Sequence, residues 1–282
     1  MGDLSPLQAG GLVLCAFLCE FVDSTLGMGY GTTLTPLFVL MGFAPAEIVP
    51  VVLLSELVSG MFAAFCHHRR GNVQFAPKDG EVFKIRNMLS PLGYIEKARK
   101  SLPIHLKVAL LLGACSVAGT LVAVFVAVNI PKFWLKMYIG TLVLSMGVLV
   151  LLCINRQFAF SIKRVTILGL VASFNKGMSG GGYGPLVTSG QILAGIEGKS
   201  AVGITSLAES LTCLVGVAAY LLTSQQVDWG LAPYVVIGAV LSVPLSARSV
   251  RFIGEKQLKL AIAVLTIMLG TVTIVQTLVK AL

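Results

Sequence analysis

Long runs of apolar residues constrain this chain more than any other feature. Each run extends over about 17 to 25 residues, the length that an α-helix needs to cross roughly 30 Å of hydrocarbon at about 1.5 Å per residue. Only 12% of the residues are charged, whereas soluble globular chains carry about 25%. A water-soluble core could not bury so many such runs. We therefore predict an all-α polytopic membrane protein that is surrounded by a lipid bilayer.

Apolar runs and the residues that break them predict ten helical elements. The order long, short, long, long, long occurs once in each half. The predicted elements cover about 7–24, 29–41, 46–66, 104–129 and 132–153, followed by 163–176, 183–194, 198–223, 230–247 and 256–280.

The two halves align with each other at a constant offset of 153 residues, without a gap. Between positions 16 and 64, 11 residues are identical to their counterparts. Generic apolar composition explains a matching leucine or valine, but not a shared Gly-x-Gly-Tyr-Gly segment or the aligned pair Glu56 and Glu209. We infer an internal duplication. The predicted divisions are 1–67, 104–155 and 156–282 for the repeats, with a basic insert at 68–103.

Lysine and arginine residues orient the two halves. The basic insert carries eight of these 21 residues and should be cytoplasmic, whereas the equivalent connection in the second half, 223–229, has none. The connections 153–164 and 248–259 are again basic. Equivalent loops on opposite sides predict inverted repeats in a multi-pass cell-membrane protein with both termini outside. Inverted repeats are a transporter architecture, with the substrate site near the bilayer midplane.

Each short element follows a glycine cluster. An irregular backbone is tolerated inside a membrane only where protein or a water-filled cavity satisfies it. We therefore expect two half-helices whose N-termini meet at mid-depth and present free N–H groups to an anion. Close helix packing is the alternative reason for these glycines. The cluster residues predicted to bind substrate are Gly27, Gly29, Tyr30, Gly31, Gly180, Gly182, Tyr183 and Gly184.

Polar side chains around the two breaks support an anion site. Lys176 adds a full positive charge, and a charge at that depth is by default a functional candidate. Lys176 aligns with Asp23, so the two could pair across the axis that relates the repeats. A purely structural ion pair is the alternative. The other polar residues predicted to bind substrate are Ser24, Thr25, Thr32, Asn175 and Ser179.

Acidic residues inside the apolar helices predict ion coupling. Glu56 and Glu209 occupy equivalent positions, and together with Asp23 they could carry H⁺ or ligate Na⁺. Hydrogen bonding to a glycine loop is the structural alternative. No catalytic residue, cofactor or resident metal is predicted.

Two motifs that suggest enzymes fail in detail. The segment 177–180, Gly-Met-Ser-Gly, fits rhomboid proteases, but all three histidines precede Ser179, which leaves this serine without a base on a later helix. The segment 198–200, Gly-Lys-Ser, ends like a Walker A loop, but Leu193 occupies the position of its first glycine. A membrane-embedded enzyme is therefore disfavoured. The other alternative is a non-transporting receptor or scaffold that binds its partners through the 68–103 insert.

The glycine clusters and the segments that follow them resemble the TauE/SafE family, whose members are sulfite exporters and permeases for sulfur anions. The resemblance also rests on 42–46 (Gly-Phe-Ala-Pro-Ala), 195–199 (Gly-Ile-Glu-Gly-Lys) and 200–206 (Ser-Ala-Val-Gly-Ile-Thr-Ser). It implies alternating-access transport of sulfite, thiosulfate or a short organosulfonate. No nucleic-acid partner is expected. Export, uptake and a homodimer all stay open.

Overall fold

A computed structural model describes residues 6–76, 103–153, 162–193, 196–223, 227–250, 252 and 255–280. Within these ranges the chain forms ten helices and no strand, in the predicted order. The helices are α1 Pro6–Leu26, α2 Tyr30–Leu40, α3 Pro45–Arg69, α4 Ile104–Asn129, α5 Lys132–Cys153, α6 Ile162–Ser179, α7 Tyr183–Leu193, α8 Gly198–Leu222, α9 Ala232–Ser249 and α10 Glu255–Val279.

The prediction of an all-α polytopic membrane protein is confirmed. Six helices among the described residues are long and apolar enough to cross a membrane, namely α1, α3, α4, α5, α8 and α9. Large apolar side chains such as Leu14, Phe125 and Leu241 are exposed on the outside of the bundle. Such faces suit hydrocarbon, because lipid tails are as apolar as leucine.

Two helices, α3 and α8, form the centre of the bundle. Of their apolar spans, 67% and 72% of the residues are buried, compared with 39–44% for the other four candidate spans. The sequence offset pairs α3 with α8, and these two helices pack directly against each other. Side chains on either helix therefore face the middle of the protein from both halves.

The helix contacts of the two halves are equivalent. Helix α1 packs against α9 as its counterpart α6 packs against α4, and α3 packs against α9 as α8 packs against α4. The last helices of each half, α5 and α10, pack against each other. Exchanging each helix for its aligned counterpart therefore reproduces these contacts, as expected for two related copies. Their opposite orientation in a membrane stays a prediction.

The two short helices begin inside the bundle. Helices α2 and α7 have 11 residues each, a length of about 16 Å that is too small to cross the hydrocarbon. Each begins directly after a glycine cluster, and α2 contacts both α1 and α3. The unwound segments before them lie in the protein interior, where both Gly29 and Gly182 are buried.

The beginning of the predicted basic insert belongs to the helical core. Asn72 and Val73 are buried, and the Ser200 hydroxyl donates a hydrogen bond of 3.0 Å to the Asn72 carbonyl oxygen. This contact ties the chain after α3 to the first turn of α8. Residues 77–102, which include most of the insert's basic side chains, lie outside the described residues, as does the connection 154–161.

Candidate functional site

The two glycine loops touch each other backbone against backbone. A Cβ atom added at Gly31 would lie 1.7 Å from the Gly180 carbonyl oxygen, and one added at Gly184 would lie 2.4 Å from that of Gly27. Gly27 aligns with Gly180 and Gly31 with Gly184, so these two contacts are equivalent in the two halves. We call this pair of contacts the glycine crossing. Only glycine allows such a close approach.

Backbone conformation also requires glycine at this crossing. Gly27 and Gly180 have φ angles of +69° and +72°, in the left-handed region that residues with a Cβ avoid. The Thr188 hydroxyl fixes one loop by donating a hydrogen bond of 2.6 Å to the Gly27 carbonyl oxygen. The crossing is thus a defined structure formed by both halves.

The aligned tyrosines differ in their hydroxyl partners. Tyr30 and Tyr183 are both fully buried. The Tyr30 hydroxyl lies 2.6 Å from the Ser55 hydroxyl, whereas the Tyr183 hydroxyl has no hydrogen-bond partner among the described residues. The sequence explains this difference, because Ala208 replaces the serine at the position that aligns with Ser55.

Lys176 lies fully buried in the last turn of α6, between the two central helices. Its ammonium forms salt bridges with Glu56 of α3 and with Glu209 of α8, the latter at 2.7 Å. The predicted pair of Lys176 with Asp23 is therefore wrong. The two glutamates lie on α3 and α8, which meet at the bundle centre, and they hold the ammonium from both halves.

Asp23 caps a half-helix instead. Its Oδ1 accepts a hydrogen bond of 3.1 Å from the backbone N–H of Tyr30, the first residue of α2. A carboxylate at this position is stabilised by the free N–H groups and by the positive end of the helix dipole. This half-helix N-terminus, which we expected to face an anion, thus faces a carboxylate of the chain itself.

A small acidic cavity lies between α1, α3 and α8. Asp23, Glu56 and Glu209 each offer it a carboxylate oxygen, and these three oxygens lie within 4.8 Å of one another. The space inside is about that of one water molecule. We call it the acidic cavity, and it is lined by Glu20, Asp23, Glu56, Ser59, Gly60, Ser206 and Glu209.

Four of these lining residues, Glu20, Ser59, Gly60 and Ser206, were missed from the sequence. Glu20, Ser59 and Ser206 each lie three positions from a predicted acidic residue and so on the same helix face. For Glu20 its charge made this signal usable, whereas serine is common inside membrane helices. The position of the two serines in the cavity depends on how α3 and α8 pack.

Three of the hydroxyl groups predicted to bind substrate form local hydrogen bonds. Thr25 donates to the Phe21 carbonyl at 2.6 Å, Thr32 to that of Gly29 at 3.2 Å, and Ser179 to that of Asn175 at 2.8 Å. Bonds of this kind satisfy the hydroxyl inside its own helix or loop. These three groups stabilise the breaks in the conformation described.

Ser24 and Asn175, which lie in the first helix of each half, have different partners. The Ser24 hydroxyl is buried and has no hydrogen-bond partner among the described residues, while its carbonyl lies 2.8 Å from His67 Nε2. The Asn175 side-chain oxygen accepts a hydrogen bond of 2.7 Å from the Tyr138 hydroxyl. Of these two side chains, Ser24 is the one with an unused polar atom.

A second cavity lies between α2, α5 and α10, away from the acidic cavity. Three of its seven lining residues are lysines, and no carboxylate lines it among the described residues. We call it the basic cavity. Its positive charge suits an anion approaching the bundle. The lining residues are Val39, Lys132, Phe133, Lys136, Gln276, Thr277 and Lys280.

Comparison with known proteins decides the family. The profile of the family described as sulfite exporter TauE/SafE matches residues 12–77 and 87–273. The chain belongs to the TauE/SafE family. The match includes both glycine loops and every charged residue of the acidic cavity. Membership in a transporter family favours transport over the enzyme alternative.

A relative of this TauE/SafE protein supports the same class. The chain is 25% identical over 252 residues to a protein described as probable membrane transporter protein YtnM from Bacillus subtilis (strain 168), covering 84% of this chain and 73% of that protein. No solved structure matches the chain. The family and the relative together make this a membrane protein of a transporter class.

Proposed function

We propose that this TauE/SafE protein is a permease for a small sulfur-containing anion, namely sulfite, thiosulfate or a short organosulfonate. The anion would cross by alternating access at the glycine crossing, and Lys176 would bind it. The observation that carries this proposal is a fully buried ammonium beside the point where two broken helices meet. The sulfur chemistry comes from the family description, sulfite exporter.

Lys176 has the chemistry that an oxyanion site requires. A charge inside a membrane helix costs at least about 2.5–3.5 kcal/mol on insertion scales, so a chain retains one there for a purpose. The ammonium is a compact point charge with three donors. The backbone N–H of Gly180 donates a hydrogen bond of 2.8 Å to the Lys176 carbonyl oxygen, so the last turn of α6 joins Lys176 to the glycine loop.

The conformation described is a closed one. The acidic cavity beside Lys176 has room for about one water molecule, which is too little for a sulfur atom with three oxygens. Binding therefore requires α3 and α8 to separate. Because Glu56 lies on α3 and Glu209 on α8, that movement would also release the ammonium from at least one glutamate. Opening of the centre and release of Lys176 would thereby be linked, as alternating access requires.

The basic cavity supports the choice of an anion. Lys132, Lys136 and Lys280 line one opening at the surface of the bundle. Clustered charge of one sign raises the local concentration of a ligand of opposite charge. This cavity would gather the anion before it reaches the centre.

The membrane potential determines whether transport of the anion must be coupled to a cation. With the cell interior negative, each exported negative charge gains about 2.3 kcal/mol per 100 mV, so export can proceed uncoupled. Uptake against the potential needs cotransported H⁺ or Na⁺. Asp23, Glu56 and Glu209 are the residues we propose for that coupling.

The experiment is a binding screen on purified protein. Sulfite, thiosulfate, sulfate, sulfoacetate and taurine are compared across pH and Na⁺ concentration, first with the unmodified chain and then with Lys176→Ala. We expect one of the sulfur anions to bind and Lys176→Ala to abolish that binding. The matched control is Lys199→Ala, which removes a surface lysine that pairs with Glu197 at 2.8 Å.

Loss of folding must be separated from loss of the site. Lys176→Ala leaves Glu56 and Glu209 without their cation, and an unpaired buried charge destabilises by about 3–5 kcal/mol. The triple variant Lys176→Ala, Glu56→Gln, Glu209→Gln also removes these two glutamate charges, so it should stay folded without binding the anion. Unchanged anion affinity in either folded variant would remove Lys176 from the site.

A further inference from the structure

We propose that the acidic cavity is a binding site for Na⁺. All its polar lining groups are oxygen donors, carboxylates from Glu20, Asp23, Glu56 and Glu209 and hydroxyls from Ser59 and Ser206. Such hard donors bind cations such as Na⁺, Mg²⁺ and Ca²⁺, and they do not suit softer transition metals. Three of the carboxylates already lie close enough to share one ion.

Unpartnered atoms show that the cavity's hydrogen bonding is incomplete. Glu20 Oε2, Glu56 Oε1 and the Ser59 hydroxyl oxygen are buried and have no hydrogen-bond partner among the described residues. These side chains are between 0% and 3% exposed. A buried polar atom without a partner is costly. The Ser59 hydroxyl is the one neutral group among the three, and a bound cation would satisfy all three atoms.

The charges around the acidic cavity also favour a bound cation. Four carboxylates surround the cavity, and Lys176 is the lysine that forms salt bridges with two of them. One ammonium compensates one negative charge. Additional positive charge, from protons or from a bound cation, is therefore needed before this many carboxylates can be buried together.

Size favours Na⁺ over Mg²⁺. The cavity holds about one water-sized particle, without room for the several waters that Mg²⁺ retains. Ca²⁺ is close to Na⁺ in size and takes the same oxygen donors, so the test below compares these two ions directly.

The consequence for transport rests on the proposed function. Na⁺ and the Lys176 ammonium share Glu56 and Glu209 as ligands. Binding of Na⁺ would weaken the hold on Lys176 and make its ammonium available to the anion. Cation and anion would then bind with positive cooperativity, and by linkage each would raise the affinity for the other equally.

The test measures Na⁺ binding without any anion substrate. Purified protein in detergent is melted over a range of Na⁺ concentrations, with choline replacing Na⁺ at constant ionic strength. We expect a saturable rise of the melting midpoint with Na⁺. Glu20→Gln and Ser59→Ala should each raise the apparent Kd for Na⁺ by at least about tenfold. Ser242→Ala is the matched control, because this buried serine of α9 donates to the Ala239 carbonyl and does not line the cavity.

A further variant, Lys176→Gln, should change the affinity for Na⁺ in the opposite direction. Without the competing ammonium, the folded variant should bind Na⁺ at least about tenfold more tightly, although it loses the proposed anion site. The Na⁺ site is overturned if Na⁺ and choline shift the midpoint equally, if Ca²⁺ acts at lower concentration than Na⁺, or if Glu20→Gln and Ser59→Ala bind Na⁺ like the unmodified chain. Na⁺ binding without anion transport would instead contradict the proposed function alone.

Discussion

At the scale of single residues, aligned positions of the two halves have different tasks. Asp23 aligns with Lys176, and the first caps α2 while the second bridges two glutamates. Glu20 aligns with Ser173, so the first half supplies more of the acidic cavity than the second. The duplicated chain therefore has an asymmetric centre, with carboxylates concentrated on one side of the ammonium.

The aligned tyrosines allow this asymmetry to be measured. Tyr30→Phe removes a buried hydrogen bond to Ser55 and should lower the free energy of unfolding by about 1 kcal/mol. Tyr183→Phe removes a hydroxyl without a partner, so stability should stay the same or increase slightly. The melting midpoints of the two variants in detergent check this. Equal losses in both would mean that the Tyr183 hydroxyl has a structural partner after all.

At the scale of elements, the glycine crossing determines how the halves meet. Gly31→Ala would drive a methyl group into the Gly180 backbone, and overpacking of this severity should cost at least about 3 kcal/mol. Gly10→Ala is the control, because nothing lies within 4 Å of a Cβ at this position of α1. We expect Gly31→Ala to give little folded protein by size-exclusion chromatography and Gly10→Ala to give normal yields. A well-folded, active Gly31→Ala protein would contradict the crossing.

The positions of the helices could largely be predicted from the sequence. Apolar length and glycine clusters predict each of the ten helices to within a few residues, because a helix in hydrocarbon must satisfy its own backbone. Helices α3 and α6 differ most, each ending three residues later than predicted, at Arg69 and Ser179. Lys176 is the last residue of the predicted element, and glycine at 177 gave no reason to continue a helix whose packing against α4 keeps it formed.

The partners of the charged residues could not be predicted in the same way. The offset of 153 residues pairs Asp23 with Lys176 in the alignment, but alignment does not state which side chains meet. That depends on the contact between α3 and α8, which brings Glu56 and Glu209 to the same ammonium. Ser59 joins the cavity for the same reason, and Glu20 joins it because α1 packs against α3 and α8. Long-range helix packing, rather than local sequence, decides the composition of the site.

At the scale of the whole molecule, the placement of lysine and arginine in the connections predicts an inverted arrangement of the two halves in the membrane. Gln74 follows α3 and Trp229 follows the aligned helix α8, and both are exposed. In a chain without its native cysteines, Gln74→Cys should react with a membrane-impermeant maleimide only from the cytoplasmic side. Trp229→Cys should react only from the outside. Labelling of both from one side would show that the repeats are not inverted.

The central claim is that a sulfur anion crosses the membrane at Lys176, between the two halves. Uptake of radiolabelled sulfite, or of the anion that binds best in the screen, into proteoliposomes tests this most directly. We predict saturable transport by the unmodified chain and by Lys199→Ala. The triple variant Lys176→Ala, Glu56→Gln, Glu209→Gln, inserted at equal density, should transport no more than empty liposomes. Transport by that triple variant at the unmodified rate would contradict the account.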